Sequence, residues 1–218
     1  MPVLRVHYPE LPLVVENTGH VVEVPQSGNG ERGTLVAGDD EYELVQWHVH
    51  APSEHVLGRH RYDLEIHLVH RDARDRVAVV AVLADTAPRR GSADRSVRTH
   101  SAARLLARAL GSAPATVGSE VDTGLEASAL RLLPPPAGRG ADESETIRHY
   151  LTYSGSLTTP PCTEGVRWFV LTRTTQVHAG TVAELRELIE GFPGYDGYGA
   201  NARPLQDGDG RKVLRRVS

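Results

Sequence analysis

Apolar and polar residues alternate with a period of two along much of this chain, the pattern of half-buried strands. Residues 14–24 are valine-rich and broken by Asn17-Thr18-Gly19-His20, which reads as strand, turn, strand. Ser27-Gly28-Asn29-Gly30 is a turn signal, and residues 33–37 read as the hairpin partner that follows it. Residues 41–50 and 62–70 alternate in strand fashion, and the stretch between them holds Pro52 and Gly58 and must turn. Residues 77–83 are continuously apolar, as expected of a strand buried on both faces. Residues 154–170 mix turn chemistry with a strand ending in Trp168-Phe169-Val170. Helical signals are fewer. Residues 97–110 carry apolar positions among Ala and Arg up to Gly111. Residues 181–191 pair Thr181 and Glu184 at capping-box spacing, place Leu185, Leu188 and Ile189 on one face, and stop at Gly191. Pro134-Pro135-Pro136 and residues 137–142 read as a loop. The balance predicts a mainly β chain of the α+β class with a few short helices, and 218 residues suit one domain over 1–218.

Charge narrows the function classes. Twenty-four basic residues against twenty-eight acidic ones leave a net charge of −4, and Lys212 is the sole lysine, so no large cationic surface is present for nucleic acid or an anionic membrane. The longest apolar run, residues 77–84, is far short of a membrane span, and the chain does not open with the basic-then-apolar pattern of an export signal. Eleven histidines and a single cysteine, Cys162, direct any metal chemistry to imidazole and carboxylate, because one thiol can form neither an intrachain disulfide nor a thiolate cluster.

Gln46-Trp47-His48-Val49-His50 places Gln46, His48 and His50 on one face of a strand, with Trp47 and Val49 on the other. Two histidines on an exposed face would give the same pattern, and the next strand bears on that alternative. In Glu65-Ile66-His67-Leu68-Val69-His70, parity groups Glu65, His67 and Val69 on one face and leaves Leu64, Ile66, Leu68 and His70 on the other. If the strands pair, His67 completes a three-histidine set that His70 cannot join. Three protein ligands with a fourth position left to water is the pattern of catalytic zinc. Gln46 and Glu65 stand two residues before His48 and His67, on the faces needed to hold their remaining ring nitrogens. His48-x-His50-x-x-x-Glu54 also matches the first metal motif of cupin jelly rolls, but its flanking glycines are misplaced and no second cupin motif follows.

Six segments in order give the chain its resemblance to bacterial α-class carbonic anhydrases. They are Asn17-Thr18-Gly19-His20, Gln46-Trp47-His48-Val49-His50, Pro52-Ser53-Glu54-His55, Glu65-Ile66-His67-Leu68-Val69-His70, Tyr153-Ser154-Gly155-Ser156-Leu157-Thr158-Thr159-Pro160-Pro161 and Asn201-Ala202-Arg203-Pro204-Leu205-Gln206. The resemblance implies a large, mostly antiparallel central sheet with zinc at the base of a conical cleft. It implies a Zn2+ cofactor on His48, His50 and His67, oriented by Gln46, the Asn201 carbonyl and Glu65. It implies that Thr158 accepts a hydrogen bond from zinc-bound hydroxide and passes its own proton to Glu54, with Thr159 on the same polar wall. Val69, Val79, Leu157, Val166 and Trp168 would form the apolar wall for CO2, and His20 would be the proton shuttle. His55 and Tyr153 would support the site, and Pro160-Pro161 would be a cis peptide. The implied activity is reversible hydration of CO2 to bicarbonate, with sulfonamide or anion inhibitors at the zinc, no nucleic-acid or membrane partner, and a monomer or homodimer. The alternative on the same fold is a non-catalytic or weakly active zinc-binding carbonic anhydrase-related module. His7, His60, His100, His149 and His178 read as surface residues, and His70 as packing behind the site.

The resemblance starts late: family members carry roughly fifty further residues before the part that matches residues 4–20, including a strand, a tyrosine near the threonine relay and often a cysteine. Cys162 matches the partner of that cysteine. The expectation is a chain trimmed from a longer precursor, extracytoplasmic if so and cytoplasmic if the chain is the full product. Lower stability and slower proton transfer would follow from the loss.

Overall fold

The computed structural model describes residues 1–26, 30–86, 101–134, 144–208 and 210–217. The strands are β1 (Leu4–His7), β2 (Leu11–Asn17), β3 (Val22–Pro25), β4 (Thr34–Ala37), β5 (Asp40–His50), β6 (Val56–Leu57), β7 (His60–Arg61), β8 (Leu64–Arg71), β9 (Val77–Thr86), β10 (Ser119–Ala127), β11 (Ser144–Ile147), β12 (Tyr150–Ser156), β13 (Glu164–Leu171), β14 (Thr175–Val177) and β15 (Leu214–Arg216). Among the described residues, helices α1 (Ser101–Leu110) and α2 (Ala179–Glu190) complete the regular structure with one 3-10 turn, Ala129–Leu132. Thirteen strands form one sheet whose main path runs β10-β2-β3-β5-β8-β9-β13-β12-β15, and β6 and β7 form a separate hairpin. The sheet is mixed but mostly antiparallel, since only the pairings of β9 with β13 and β14 are parallel.

Alternation sorts side chains between two layers. On one side Trp47 and Val49 of β5, Ile66 and Leu68 of β8 and Val80 and Val82 of β9 join Leu105, Leu106, Val182 and Leu185 of the helices in the main core. On the other side Val69, Val79, Ala81, Leu83, Val166, Trp168 and Val170 form a smaller apolar cluster. β9 feeds both layers, which is why its sequence is continuously apolar. β5 breaks strict alternation once. Its register with β8 shifts between Leu44 and Gln46, so Leu44 and Trp47 face the main core while Val45 packs on the smaller cluster. The additional residue of this bulge re-aims Gln46, and with it the positions that follow.

Three local expectations need correction. Residues 34–37 do not pair with the preceding strand: β4 pairs with β1 and, through the turn at Gly38 (φ 75°), with β5. The close Gly38-Asp39 connection outcompetes the more distant turn signal, whose residues 27–29 lie outside the described residues. Helix α2 starts earlier than its capping-box spacing suggests: its N-cap is His178, three residues before Thr181, and the His178 side chain does not cap the helix. Thr181 is buried in its first turn, where packing rather than capping places it. Edge strands β10 and β15 carry no clear alternation and were not predicted, because they are exposed and little of their sequence is shaped by burial. Residues 97–100 of the predicted first helix and residues 135–142 of the predicted loop are outside the described residues.

His70 is fully buried on the helix side of β8, where its Nε2 shares a 2.9 Å hydrogen bond with the Tyr8 hydroxyl and its Nδ1 lies 3.3 Å from the Ala78 carbonyl. Burial pushes its pKa down to about 3. Tyr8→Phe leaves a buried ring nitrogen without its partner and should cost about 1–3 kcal/mol, read as a drop in urea midpoint. The depressed folded pKa also sets a pH slope. The contribution of a neutral buried His70 is complete above the unfolded value near 6.5 and is lost as pH falls toward 3. The metal-free chain should lose about 2 kcal/mol on this account by pH 5. His70→Asn should make the stability profile shallower by about one proton between pH 6 and 4; an unchanged slope would contradict the assignment.

Candidate metal centre

β5 and β8 pair with His48 directly opposite His67, and His50 opposite Glu65. Parity and register bring the three imidazoles together on the side of the sheet away from the helices, all buried. His48 Nε2 lies 3.1 Å from His50 Nε2 and 3.3 Å from His67 Nδ1. These three atoms form a set that could hold a metal ion. Each outer nitrogen has its own acceptor: Gln46 Oε1 at 2.8 Å from His48 Nδ1, the Asn201 carbonyl at 3.3 Å from His50 Nδ1, and Glu65 Oε1 at 2.8 Å from His67 Nε2.

Those acceptors decide where the protons are. A neutral imidazole carries one N–H, and a carbonyl or carboxylate oxygen can only accept, so the protons sit on the outer nitrogens. Protonating the inner nitrogens is opposed as well. Burial, followed by the neighbouring His50 and His67, holds the His48 pKa well below its ordinary value, and burial pushes that of His50 down to about 4. Three lone pairs therefore converge within the buried site. The donor set fits a divalent cation that favours imidazole, at a site with three protein ligands.

A carboxylate holds the arrangement from behind. Glu65 is fully buried; its Oε1 accepts from His67 Nε2 and from His55 Nδ1 at 2.5 Å, and its Oε2 accepts the backbone N–H groups of Glu54 and His55 at 2.9 and 2.7 Å. Burial alone would raise its pKa, but the facing His55 and these donors hold it well below the usual range. Burial also opposes charge on His55, yet the Glu65 carboxylate outweighs it and raises the His55 pKa. His55 Nε2 continues the network to the Tyr153 hydroxyl at 2.6 Å. Glu54 turns toward the imidazoles. Its Oε1 accepts the Arg203 N–H at 2.7 Å, while its Oε2 is buried, 3.6 Å from His50 Nε2, and has no hydrogen-bond partner. The expected hydrogen bond from Thr158 to Glu54 is thus not made onto that oxygen.

A cavity of about 400 Å³ opens above the imidazoles, lined by His48, His67, Val69, Val79, Leu157, Thr158, Thr159 and Trp168 among others. Val166 belongs to the apolar cluster behind this wall and does not line the cavity. Gly155 is required here: a Cβ would come within 2.7 Å of the Tyr153 ring and 2.9 Å of the Trp168 ring. The Pro160-Pro161 peptide is cis, as is Ala51-Pro52. Cys162 is free. His20 sits in the turn between β2 and β3 with its ring centroid 6.3 Å from that of His50. Its pKa is lowered by burial, with Glu54 pulling the other way.

Of the histidines given no role, His60 pairs with Asp85 at 2.8 Å on the surface, His7 meets Ser144 at 3.2 Å, His149 is exposed, and His100 lies outside the described residues. Three site residues escaped the sequence reading. Tyr195 follows α2 and hydrogen-bonds His20 Nδ1, but nothing in Gly194-Tyr195-Asp196 marks it. Glu23 and Arg71 line the cavity. Glu23 was legible as the polar residue between Val22 and Val24, once β3 is known to place it opposite His48. Burial, with Glu16 second, pushes its carboxyl up to about 7. Arg71 continues the Glu65, His67, Val69 parity by one step.

The comparisons with known proteins extend over this whole arrangement. The family model for eukaryotic-type carbonic anhydrase matches residues 3–217. Alpha carbonic anhydrase 4 of Arabidopsis thaliana is 33% identical over 207 residues, covering 94% of this chain and 65% of that protein, so the chain spans less than two thirds of that relative's length. The Photobacterium profundum alpha-carbonic anhydrase superposes with a TM-score of 0.76 at 32% identity, over 98% of this chain and 82% of that one. The alpha-carbonic anhydrase of Thermovibrio ammonificans, solved with the inhibitor sulfanilamide, gives a TM-score of 0.71 at 30% identity over 98% and 78%. With an open mixed sheet and a third imidazole supplied by the neighbouring strand, the cupin alternative falls away, and the chain belongs to the eukaryotic-type, or alpha, carbonic anhydrase family.

Proposed function

We propose that this chain is a zinc enzyme that hydrates CO2 reversibly to bicarbonate and a proton. The observation that carries the reading is the convergence of three buried ring nitrogens, His48 Nε2 with His50 Nε2 at 3.1 Å and His67 Nδ1 at 3.3 Å, each ring held from behind by an acceptor. In this reading His48, His50 and His67 hold the ion, and Gln46, the Asn201 carbonyl and Glu65 fix their tautomers and orientation. A bound zinc supplies Lewis acidity, which in carbonic anhydrase brings the pKa of coordinated water to about 7.

The remaining steps belong to the chain. Val69, Val79, Leu157 and Trp168 offer an apolar wall to CO2, which has no charge to anchor, and Val166 backs that wall. Thr158 and Thr159 present hydroxyls on the same cavity. The unpartnered Glu54 Oε2 is the acceptor for the Thr158 proton, which leaves the Thr158 oxygen free to accept from the reacting water. His20 carries the released proton outward, an imidazole suited to relay near neutral pH. His55 and Tyr153 keep the Glu65 carboxylate in place.

Stopped-flow CO2 hydration on the full chain, with metal analysis of the same sample, tests the proposal. One equivalent of zinc with sulfonamide-sensitive hydration is expected; zinc without turnover would favour the binding module instead. His67→Ala should lose both zinc and activity, and full activity in that variant would sink the ligand assignment. Gln46→Ala should keep the fold and weaken zinc binding about 10- to 100-fold, measured by competition with a chromophoric chelator.

A further inference from the structure

We infer that Arg71 is an anion-recognition residue at the mouth of the cleft, where it favours bicarbonate and other carboxylate-bearing ligands of the proposed zinc site; the inference rests on the proposed function. One face of β8 reads Glu65, His67, Val69, Arg71, running from the buried carboxylate through an imidazole and an apolar wall to a cation. Arg71 is four residues beyond His67, so its Cα lies about 13 Å along the strand, within reach of the cavity centre for a side chain of its length. It lines the cavity together with His67, Val69 and Trp168.

Its guanidinium is not firmly engaged elsewhere. Among the described residues its acidic neighbours are Asp75, Glu43 and Glu23. Asp75 lies 3.7 Å away, with the two side chains 89% and 50% exposed, so that pair is solvated and weak. Glu43, opposite Arg71 on β5, is paired with Arg32 at 3.2 Å. Glu23 lines the same cavity from β3, where its cross-strand partner is His48, and it opposes anion binding. A guanidinium so loosely held offers a fork of donors that a carboxylate or bicarbonate accepts in pairs. CO2 has no such acceptor charge, so the effect discriminates between the two sides of the reaction. A catalyst leaves the overall equilibrium untouched, so Arg71 changes how long the anion occupies the cleft and not the direction of the reaction.

The test uses the zinc-loaded full chain and two arylsulfonamides of one shape, 4-sulfamoylbenzoate and its uncharged amide, 4-sulfamoylbenzamide, with calorimetry as the readout. The wild-type chain should prefer the carboxylate about two- to fivefold, the range of an exposed ion pair. Arg71→Gln should abolish the preference, Arg71→Glu should invert it, and Glu23→Gln should enlarge it. In parallel, the inhibition constant of bicarbonate against CO2 hydration should rise about two- to threefold in Arg71→Gln. Equal binding of the two compounds by wild type, or a preference that survives Arg71→Gln, overturns the inference and leaves the proposed function intact. If neither compound binds the zinc-loaded wild-type chain, the proposed function falls and the inference falls with it.

Discussion

The site depends on one buried anion. The Glu65 carboxylate takes four hydrogen bonds: from the rings of His67 and His55, and from the backbone of Glu54 and His55. A carboxylate removed from water is costly unless its lone pairs are satisfied, and here all four directions are used. The same bonds join three parts of the chain that sequence keeps apart. β8 supplies the anion, the turn after Ala51-Pro52 supplies two N–H groups, and β12 is reached through His55 and Tyr153. The unpartnered oxygen of Glu54 is held near the imidazoles because its own backbone N–H is tied to Glu65. Orientation of a ligand and placement of an acid are thus one interaction.

The sheet makes this possible by separating two chemistries by parity. Apolar residues of β5 and β8 face the helices and form the main core, and polar residues of the same strands face the cleft. The bulge at Val45 matters because it shifts the phase of β5. Before it, Leu44 points to the core; after it, Gln46, His48 and His50 point to the cleft and Trp47 and Val49 to the core. Slipping β5 by one residue would exchange the imidazoles for Trp47 and Val49. The buried Trp47 and Val49 therefore hold the histidines in place as firmly as any hydrogen bond at the site.

Much of this was legible beforehand, for a definite reason. Strands buried on one or both faces carry their geometry in their alternation, and β5, β8 and β9 were read close to their observed bounds, while β2 begins three residues before the position read. The grouping of Gln46 with His48 and of Glu65 with His67 followed from parity alone, and the acceptor role of Asn201 came only through resemblance. What escaped were features that depend on long-range pairing. The partner of β4 was misread because a local turn signal cannot say which of two nearby strands wins. Tyr195 meets His20 across 175 positions of sequence, and no local pattern encodes such a contact. Thr181 has the spacing of a cap and is instead a packing residue, since burial outweighs a capping hydrogen bond in a helix laid on the core.

The three inner nitrogens crowd one another, 3.1 Å and 3.3 Å from His48 Nε2, and burial opposes charge on His48 and His50. An isolated cluster of this kind would splay apart or take up protons. Here each ring is fixed by a strand on one side and an acceptor on the other. The sheet and the outer hydrogen bonds therefore carry the cost of assembling the site before any metal arrives. Binding energy at such a site is spent little on ordering ligands and appears as affinity, and by mass action as stability of the folded chain. The same logic explains why the acceptors differ in kind. An amide, a backbone carbonyl and a carboxylate all accept from an imidazole, but only Glu65 brings a full charge, and it is the one shielded by the most donors. A second anion as close to the imidazoles, with its bonds unfilled, would draw protons onto the rings. Glu54 has one oxygen bound to the Arg203 N–H and the other buried without a hydrogen-bond partner, 3.6 Å from His50 Nε2.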